Sequence, residues 1–262
     1  MSEKTSQKFP ISVFIIACNE EDRIPESIKS VCDWVNEVIV VDSGSTDQTV
    51  NVSKNLGAKV FEREWPGYGP QKRFAEEQCQ NKWVINLDAD EVISPELSVE
   101  IQELFRSEPP QEKAFKLKIK DVYPHQRRPC RFPYTYKVVR LYHLDQGRYS
   151  ESQIHDRVIL KKNTKYVTLK ESVYHKSIRS LSNLITKANS YTDLQAAVFS
   201  SQGRQISNFR LIFEFPFSFL FSYLNRGNIL RGRYGLLLSY HYAYIRLIRI
   251  AKIWEKQIIS RK

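Results

Sequence analysis

Two aspartates stand one residue apart at the end of an apolar run, where Val-Ile-Asn-Leu is followed by Asp88-Ala-Asp90-Glu91. Side chains two residues apart on a strand point to the same side, so both carboxylates would leave the strand end toward one point. Carboxylates held that close repel each other unless a cation lies between them, and a divalent cation that carries a phosphate group is one solution. The same acids could instead form the first turn of a helix near Ser94.

Two further polar clusters follow β-branched apolar runs nearer the N-terminus. Asn19 and Glu20 follow the run that ends at Ala17, and Asp42 begins an Asp-Ser-Gly-Ser sequence after the run 37–41. The carboxyl ends of parallel strands meet at one edge of a sheet, and open α/β sheets bind their ligands there. These clusters and the aspartate pair therefore predict a single binding site at that edge.

The elements that must hold these clusters alternate between strand and helix at intervals of roughly 20–25 residues. This alternation predicts an α/β protein with a mostly parallel sheet and helices on both of its faces. Alternating polar and apolar residues predict shorter, partly antiparallel strands from Ala114 to Val173. We expect a long helix over 229–254, after an aromatic segment that Pro216 should interrupt.

The basic charge of the chain is concentrated near its C-terminus. The 262 residues are 42% hydrophobic and 26% charged, as in a folded protein, and the formal net charge is +11. Residues 201–262 hold eleven Lys and Arg against two Asp and Glu. Arg246, Arg249 and Lys252 recur at helical spacing beside many aromatic residues, which favours an anionic membrane surface as a partner. The alternative is a tail packed on the domain with its basic face in water.

Other partners and compartments are not expected from this sequence. A nucleic-acid partner is not predicted, because no helix-turn-helix, RNA-recognition or zinc-binding pattern accompanies the charge. There is no uncharged run of about 20 residues, so no membrane-spanning helix is predicted. The four cysteines are scattered and no secretory signal is seen, which predicts reduced thiols in the cytoplasm.

Taken together, the polar clusters resemble those of the family 2 glycosyltransferases with the GT-A fold. The resembling segments are 15–20, 40–47 and 87–91. Further segments are similar to the branch that builds lipopolysaccharide cores, of the heptose β-glucosyltransferase type: 65–73, 154–157, 223–227 and 232–235. The wider family usually has Asp-Asp-Gly-Ser where this chain has Asp-Ser-Gly-Ser, a departure that argues against the processive synthases.

The resemblance implies a nucleoside pocket at the ends of the first two strands. Ala17, Asn19 and Glu20 would line this pocket, and Asp42 would accept a hydrogen bond from the uracil N–H, which suits a carboxylate. Capping of its own loop is the alternative role of Asp42.

The resemblance also assigns the diphosphate and its metal. Lys72 or Arg73 would lie near the diphosphate, although either could be an ordinary solvated helix residue. Asp88 would support the ribose side, and Asp90 would ligate Mg²⁺ or Mn²⁺, which neutralises charge on the departing UDP.

The catalytic base is expected at Asp156, which would take the proton of the acceptor hydroxyl for direct attack and inversion at the anomeric carbon. Related sequences mostly carry glutamate at this position, and Glu91 is the competing candidate. His155 and His175 could each be a metal ligand or a hydrogen-bonded core histidine.

The function implied is an inverting transfer from a UDP-sugar, with UDP-glucose the best guess, to a lipopolysaccharide-core or related glycolipid or oligosaccharide acceptor.

Four regions follow from this assignment: a flexible N-terminus (1–10), a nucleotide-sugar-binding half (11–110), an acceptor-binding half (111–200) and a basic, aromatic, helical membrane-associating tail (201–262). The expected location is the inner face of the bacterial cytoplasmic membrane, as a peripheral protein.

Two rival functions remain open at the level of sequence. The Asp-x-Asp-x-Val pattern also fits a HAD-like phosphohydrolase with Asp88 as nucleophile, although that motif normally follows the first strand rather than the fourth. A non-enzymatic basic membrane-binding protein, with structural carboxylates, is the second rival.

Overall fold

The protein forms two compact units in a computed structural model that describes residues 8–124, 126–152, 156–201 and 206–259. The first unit joins the chain up to Asp121 with Tyr134–Ser177. The second joins Val122–Pro133 with the chain from Ile178 onward.

The first unit is built on an eight-stranded sheet in the order β3-β2-β1-β4-β7-β6-β10-β5, with a separate β8–β9 hairpin. The pairs β1–β2, β2–β3, β1–β4 and β6–β10 are parallel, and β7 runs antiparallel to β4 and β6. The strands are β1 Phe9–Ala17, β2 Val35–Asp42, β3 Lys59–Glu62, β4 Trp83–Asp88, β5 Glu91–Ile93, β6 Ala114–Asp121, β7 Thr135–His143, β8 Gly147–Tyr149, β9 Val158–Leu160 and β10 Val167–His175. The helices are α1 Ile24–Lys29, α2 Thr49–Asn55, α3 Tyr68–Glu77 and α4 Pro95–Leu104.

The central strands are apolar on both faces because helices cover both sides of the sheet. Along β1, Val13 and Ile15 pack into one buried cluster, and Phe14 packs into a second on the opposite face. The predicted α/β class, with a mostly parallel sheet flanked by helices, is confirmed.

The two aspartates do not begin a helix, so that alternative is wrong. Asp88 ends β4, Asp90 lies in a turn, and Glu91 begins the short strand β5. Helix α4 starts only at Pro95, where the Ser94 hydroxyl accepts the N–H of Leu97 and caps it.

The second unit is helical: α5 spans Leu181–Ser201, α6 Asn208–Leu220 and α7 Gly232–Ile259. The predicted interruption at Pro216 is wrong, because α6 continues through this proline. The irregular backbone comes later, as a π-helical turn at Phe221–Asn225 and a 3-10 turn at Asn228–Arg231. Among the helices described, none combines the length and the apolar character needed to cross a membrane.

Candidate active site

The loops after β1 and β2 are bound to each other at the carboxyl edge of the sheet. Ala17 and Asp42 are direct neighbours in the parallel ladder, so the two loops start side by side. Asn19, at φ +56°, donates its N–H to the Ser45 hydroxyl at 2.8 Å, and its side-chain oxygen accepts the N–H of Thr46 at 2.8 Å. The sequence-predicted nucleoside residues are therefore brought together by the sheet register.

Asp42 caps its own loop. Its buried carboxylate accepts the N–H groups of Gly44 at 2.9 Å and Ser45 at 2.7 Å, and also the Ser45 hydroxyl. This is the capping role that sequence analysis held as the alternative. A carboxylate has about four lone-pair sites, so a further bond to uracil is compatible with the cap and stays a prediction.

Arg23 links the first loop to the second aspartate of the pair, a residue that sequence analysis missed. Its guanidinium lies 2.6 Å from Glu20 Oε1 and 3.1 Å from Asp90 Oδ2. The spacing of three residues between Glu20 and Arg23 was the available signal, since such pairs are neighbours on a helical turn.

Lys72 is buried and joins two carboxylates, so the interpretation of a solvated helix residue is wrong. Its side chain is 2% exposed, and Nζ lies 2.7 Å from Asp88 Oδ1 and 2.5 Å from Asp156 Oδ2. The neighbouring Arg73 points elsewhere and donates to the carbonyl of Tyr149 at 2.9 Å. Helix α3 thus brings an ammonium between the aspartate motif and the predicted base.

Arg140, on β7, completes the network and was also missed by sequence analysis. Its Nη2 atom lies 2.8 Å from Asp88 Oδ2 and 3.0 Å from Glu91 Oε1. Arg140 lies two residues before the fully buried Tyr142 and so shares its face of the strand. An arginine at an inward-facing strand position was the signal, because arginine is rarely buried without a partner.

Glu91 is fully buried and committed to structural partners. Oε2 accepts the N–H of Asp88 at 3.0 Å, while Oε1 is paired with Arg140. Burial raises the pKa of Glu91, against the opposing effect of Arg140. This position does not favour Glu91 as the residue that meets an acceptor hydroxyl.

Asp88 is held as a carboxylate by two internal cations. Burial by itself would raise its pKa, but Arg140 and Lys72 hold the pKa well below its ordinary value. Each of its oxygens contacts one of these cations, so Asp88 organises the site as a fixed negative charge.

Asp90 faces a histidine that is oriented as metal-ligating histidines are. Asp90 Oδ1 lies 3.6 Å from His175 Nε2, and His175 Nδ1 lies 3.0 Å from Asp121 Oδ1. Metal-ligating histidines characteristically give their other ring N–H to a carboxylate, which turns the remaining nitrogen toward the ion. Burial would lower the pKa of His175, but Asp121 and Asp90 raise it above its ordinary value. A cation could replace that proton.

The residues present fit a divalent cation held jointly by the protein and a ligand. In the described part of the chain, no three His, Cys, Asp or Glu side chains form a metal cluster. Mg²⁺ commonly takes one or two carboxylates from the protein and its other ligands from water and substrate phosphates. Asp90 would supply a carboxylate ligand of this kind, and His175 would add a ring nitrogen. His155, the other candidate ligand, lies outside the described residues.

A cavity of about 380 Å³ opens beside the network. Asp88, Arg140 and Asp156 line it together with Tyr136 and Arg157. A small polar molecule in this cavity would therefore contact both the aspartate motif and the predicted base.

Residues 12–162 match the glycosyl transferase family 2 model, which is more than half of the chain. The chain belongs to glycosyl transferase family 2. This family 2 glycosyltransferase is an enzyme with the GT-A architecture, and the two internal cations on Asp88 do not favour the phosphohydrolase alternative. The non-enzymatic alternative is not favoured either.

Relatives of this glycosyltransferase extend over nearly the whole chain. A glycosyltransferase of Rickettsia felis is 39% identical over 96% of this chain and 92% of its own. The lipopolysaccharide core biosynthesis glycosyltransferase LpsC of Rhizobium meliloti is 28% identical over 97% of this chain and 96% of its own. The glucosyl-3-phosphoglycerate synthase of Mycobacterium tuberculosis, solved with Mn²⁺ and UDP, is 26% identical over 45% of this chain and 46% of its own, at a TM-score of 0.35.

Proposed function

We propose that the protein moves a sugar from a UDP-sugar to a lipopolysaccharide-core or related glycolipid acceptor, with inversion at the anomeric carbon. The observation that carries this proposal is the placement of Lys72 between Asp88 and Asp156, next to the Asp90–His175 pair. The buried ammonium of Lys72 thereby contacts Asp88, a group proposed for the donor side, and Asp156, a group proposed for the acceptor side. The acceptor class follows from the relative named for lipopolysaccharide core biosynthesis, and UDP-glucose is the first donor to test.

On the donor side, the loops that carry Asn19, Glu20 and Asp42 would bind the nucleoside. Asp90 and His175 would hold Mg²⁺ or Mn²⁺, and the bound ion would stabilise the negative charge that develops on the leaving diphosphate. Arg23 keeps Asp90 in place by its ion pair. Asp88 holds Lys72 and Arg140 in place at the same edge of the sheet.

On the acceptor side, Asp156 would accept the proton of the attacking hydroxyl. Lys72 contacts its Oδ2 atom and orients the carboxylate, and the proton would be accepted by Oδ1. The cavity bounded by Asp88, Asp156 and Arg157 would receive the acceptor sugar. Direct attack from this side opposite the departing diphosphate inverts the configuration at the anomeric carbon.

The acceptor class places the enzyme at a membrane, since lipopolysaccharide precursors are membrane lipids. We therefore propose peripheral association with the inner face of the bacterial cytoplasmic membrane. The basic excess of residues 201–262 supports this location, because anionic headgroups attract basic segments.

The test is a melting-temperature panel of UDP-glucose, UDP-galactose, UDP-N-acetylglucosamine and ADP-glucose, with and without Mn²⁺, followed by transfer to purified core acceptors. A ligand at about 100 times its dissociation constant stabilises the fold by about 2.7 kcal/mol. We expect one UDP-sugar to raise the melting temperature only with the metal. Equal responses to ADP-glucose, or none to any UDP-sugar, would contradict the proposal.

A further inference from the structure

The outer face of α6 and its continuation exposes a row of large apolar side chains. The exposed fraction is 70% for Phe209, 67% for Ile212 and 73% for Phe217. We define the aromatic face as Phe209, Ile212, Phe213, Phe217, Leu220 and Leu224, all of which are exposed. The spacing of three or four residues places them on one side of the helix. A helix of a globular protein in water normally turns this side toward the core.

The opposite side of the same helix is polar and buried. Glu214, Ser218 and Ser222 recur at intervals of four residues, and all three are buried. Asn228 donates to the hydroxyls of Ser222 at 2.9 Å and Ser239 at 3.2 Å. The polar groups of this seam are therefore satisfied by one another within the helix pair α6–α7.

Small residues line the buried side of α7, where Gly235 lets the preceding 3-10 turn approach closely. On α7, Gly235, Ser239 and Ala243 are buried at intervals of four residues. A side chain at Gly235 would clash with the Asn228 carbonyl oxygen, only 1.8 Å from the position of its Cβ. Small residues at four-residue spacing and polar side chains between helices are characteristic of helix packing in lipid.

The basic stripe predicted to meet the membrane faces other helices instead. Arg246 pairs with Glu214 at 2.7 Å, and Lys252 pairs with Asp193 at 2.7 Å. Arg249 lies 3.5 Å from Gln195. These cations hold α7 to α5 and α6, so the interpretation of this stripe as a membrane-facing surface is wrong.

The α6–α7 pair thus has apolar side chains on its outer face and polar side chains between the helices, the reverse of a helix pair in water. Contiguous exposed apolar surface of this kind marks an interaction site, and a satisfied polar interior suits an apolar surrounding. Two arginines of the same unit indicate that this surrounding is anionic. Arg226 follows Leu224 by two residues, and its guanidinium stacks 4.3 Å over the Tyr242 ring; Arg233 is exposed at the start of α7. Anionic lipid headgroups complement these charges while acyl chains cover the aromatic side chains.

We propose that the aromatic face inserts into the headgroup–acyl boundary of an anionic lipid bilayer, with Arg226 and Arg233 at the level of the phosphates. This deepens the membrane association proposed above and rests on it. It replaces an electrostatic attachment by the basic stripe with insertion of apolar side chains. The binding is therefore driven by apolar burial and resists salt.

The experiment is flotation of the full-length protein with vesicles of phosphatidylethanolamine and phosphatidylglycerol. We expect wild-type protein to remain bound at about 1 M NaCl, where the Debye length is about 3 Å. The variant Ile212→Ser/Phe213→Ser/Phe217→Ser should lose at least about tenfold in partition coefficient, because apolar area is removed. The conservative variant Ile212→Val/Phe213→Leu/Phe217→Leu should stay bound.

The matched control is Val99→Ser/Ile159→Ser, which removes equally exposed apolar side chains (54% and 56%) from the first unit and should bind as wild type does. Helicity and melting temperature verify folding, and Phe217→Ser alone replaces the triple variant if that variant loses helicity. Equal flotation of the serine variant, or release of wild type by salt, would overturn the insertion.

A second copy of the chain is the other occupant to be distinguished. Dimerisation would be measured without vesicles at several protein concentrations. The proposal would also be overturned if wild type formed dimers, the serine variant did not, and wild type failed to float with vesicles. Transfer to a lipid-free core oligosaccharide, with UDP release as the readout, tests the proposed sugar transfer separately from membrane insertion. Insertion can fail while this activity persists, and the activity can fail while flotation persists.

Discussion

The carboxyl edge of the sheet and the α6–α7 pair both bury charged and polar groups, but they do so in opposite settings. At the edge, Lys72 and Arg140 hold Asp88, Glu91 and Asp156 beside an open cavity. In the helix pair, Glu214 and the serines satisfy one another beneath an apolar exterior. Buried charge therefore marks a candidate reaction site only where it also meets a cavity. In the helix pair it joins α7 to α6.

The largest expected effect is at Asp90 and His175, the pair proposed to bind the metal. Asp90→Asn should lower kcat about 10²–10³-fold, because it removes a group that holds the charge facing the departing diphosphate. Turnover and Mn²⁺-dependent UDP binding are the measurements. The control is Asp145→Asn, an exposed aspartate paired with Lys82, which should leave both unchanged. Normal turnover in Asp90→Asn would show that Asp90 does not hold a metal that the reaction needs.

The second effect separates the two candidate bases. Asp156→Asn should lower kcat about 10²-fold and leave UDP-sugar binding intact, as expected for loss of a general base. Glu91→Gln should instead destabilise the fold and change kcat much less, because the Glu91 carboxylate is bonded to Arg140 and to the backbone N–H of Asp88. Turnover, donor affinity and melting temperature are measured for each variant. Parallel losses of donor affinity and kcat in Asp156→Asn would contradict its role as base.

The third effect is on stability at the edge of the sheet. Arg140→Gln should lower the free energy of unfolding by about 3–5 kcal/mol, because it leaves the buried Glu91 carboxylate without its counter-charge and Asp88 with Lys72 alone. Urea denaturation measures this loss. The double variant with Glu91→Gln should recover about 1–3 kcal/mol, the coupling expected for contacting residues. Strictly additive losses would show that Arg140 does not act through Glu91.

The smallest effect is in the helix pair. Burial would raise the pKa of Glu214, but Arg246 and Arg210 hold it below its ordinary value. A lowered folded-state pKa contributes stability above the unfolded pKa of about 4.3, and this stability is lost as the pH falls through the folded pKa. Melting temperatures between pH 7 and 3 should therefore fall more for wild type than for Glu214→Gln. Matching curves would indicate that the buried glutamate contributes no stability as a charge.

Sequence reasoning located the site well where the signal was local. Apolar runs that end in Asn19, Asp42 and Asp88 predicted strand ends, and the sheet register brings the first two together because parallel neighbours end at one edge. Lys72 was named for its place in a motif, but its burial was not predicted. Arg23 and Arg140 were missed because their contacts with Asp90 and Asp88 join residues far apart along the chain.

The sequence by itself determined the α/β class, the family and the edge of the sheet that carries the acids. These follow from periodicity and from short motifs, which are properties of neighbouring residues. Only the tertiary structure decided that Lys72 joins Asp88 to Asp156, that Glu91 is committed to Arg140, and that Arg246 and Lys252 face other helices. The physical reason is that an ion pair needs two partners within about 4 Å, and only the folded chain determines which distant residues meet.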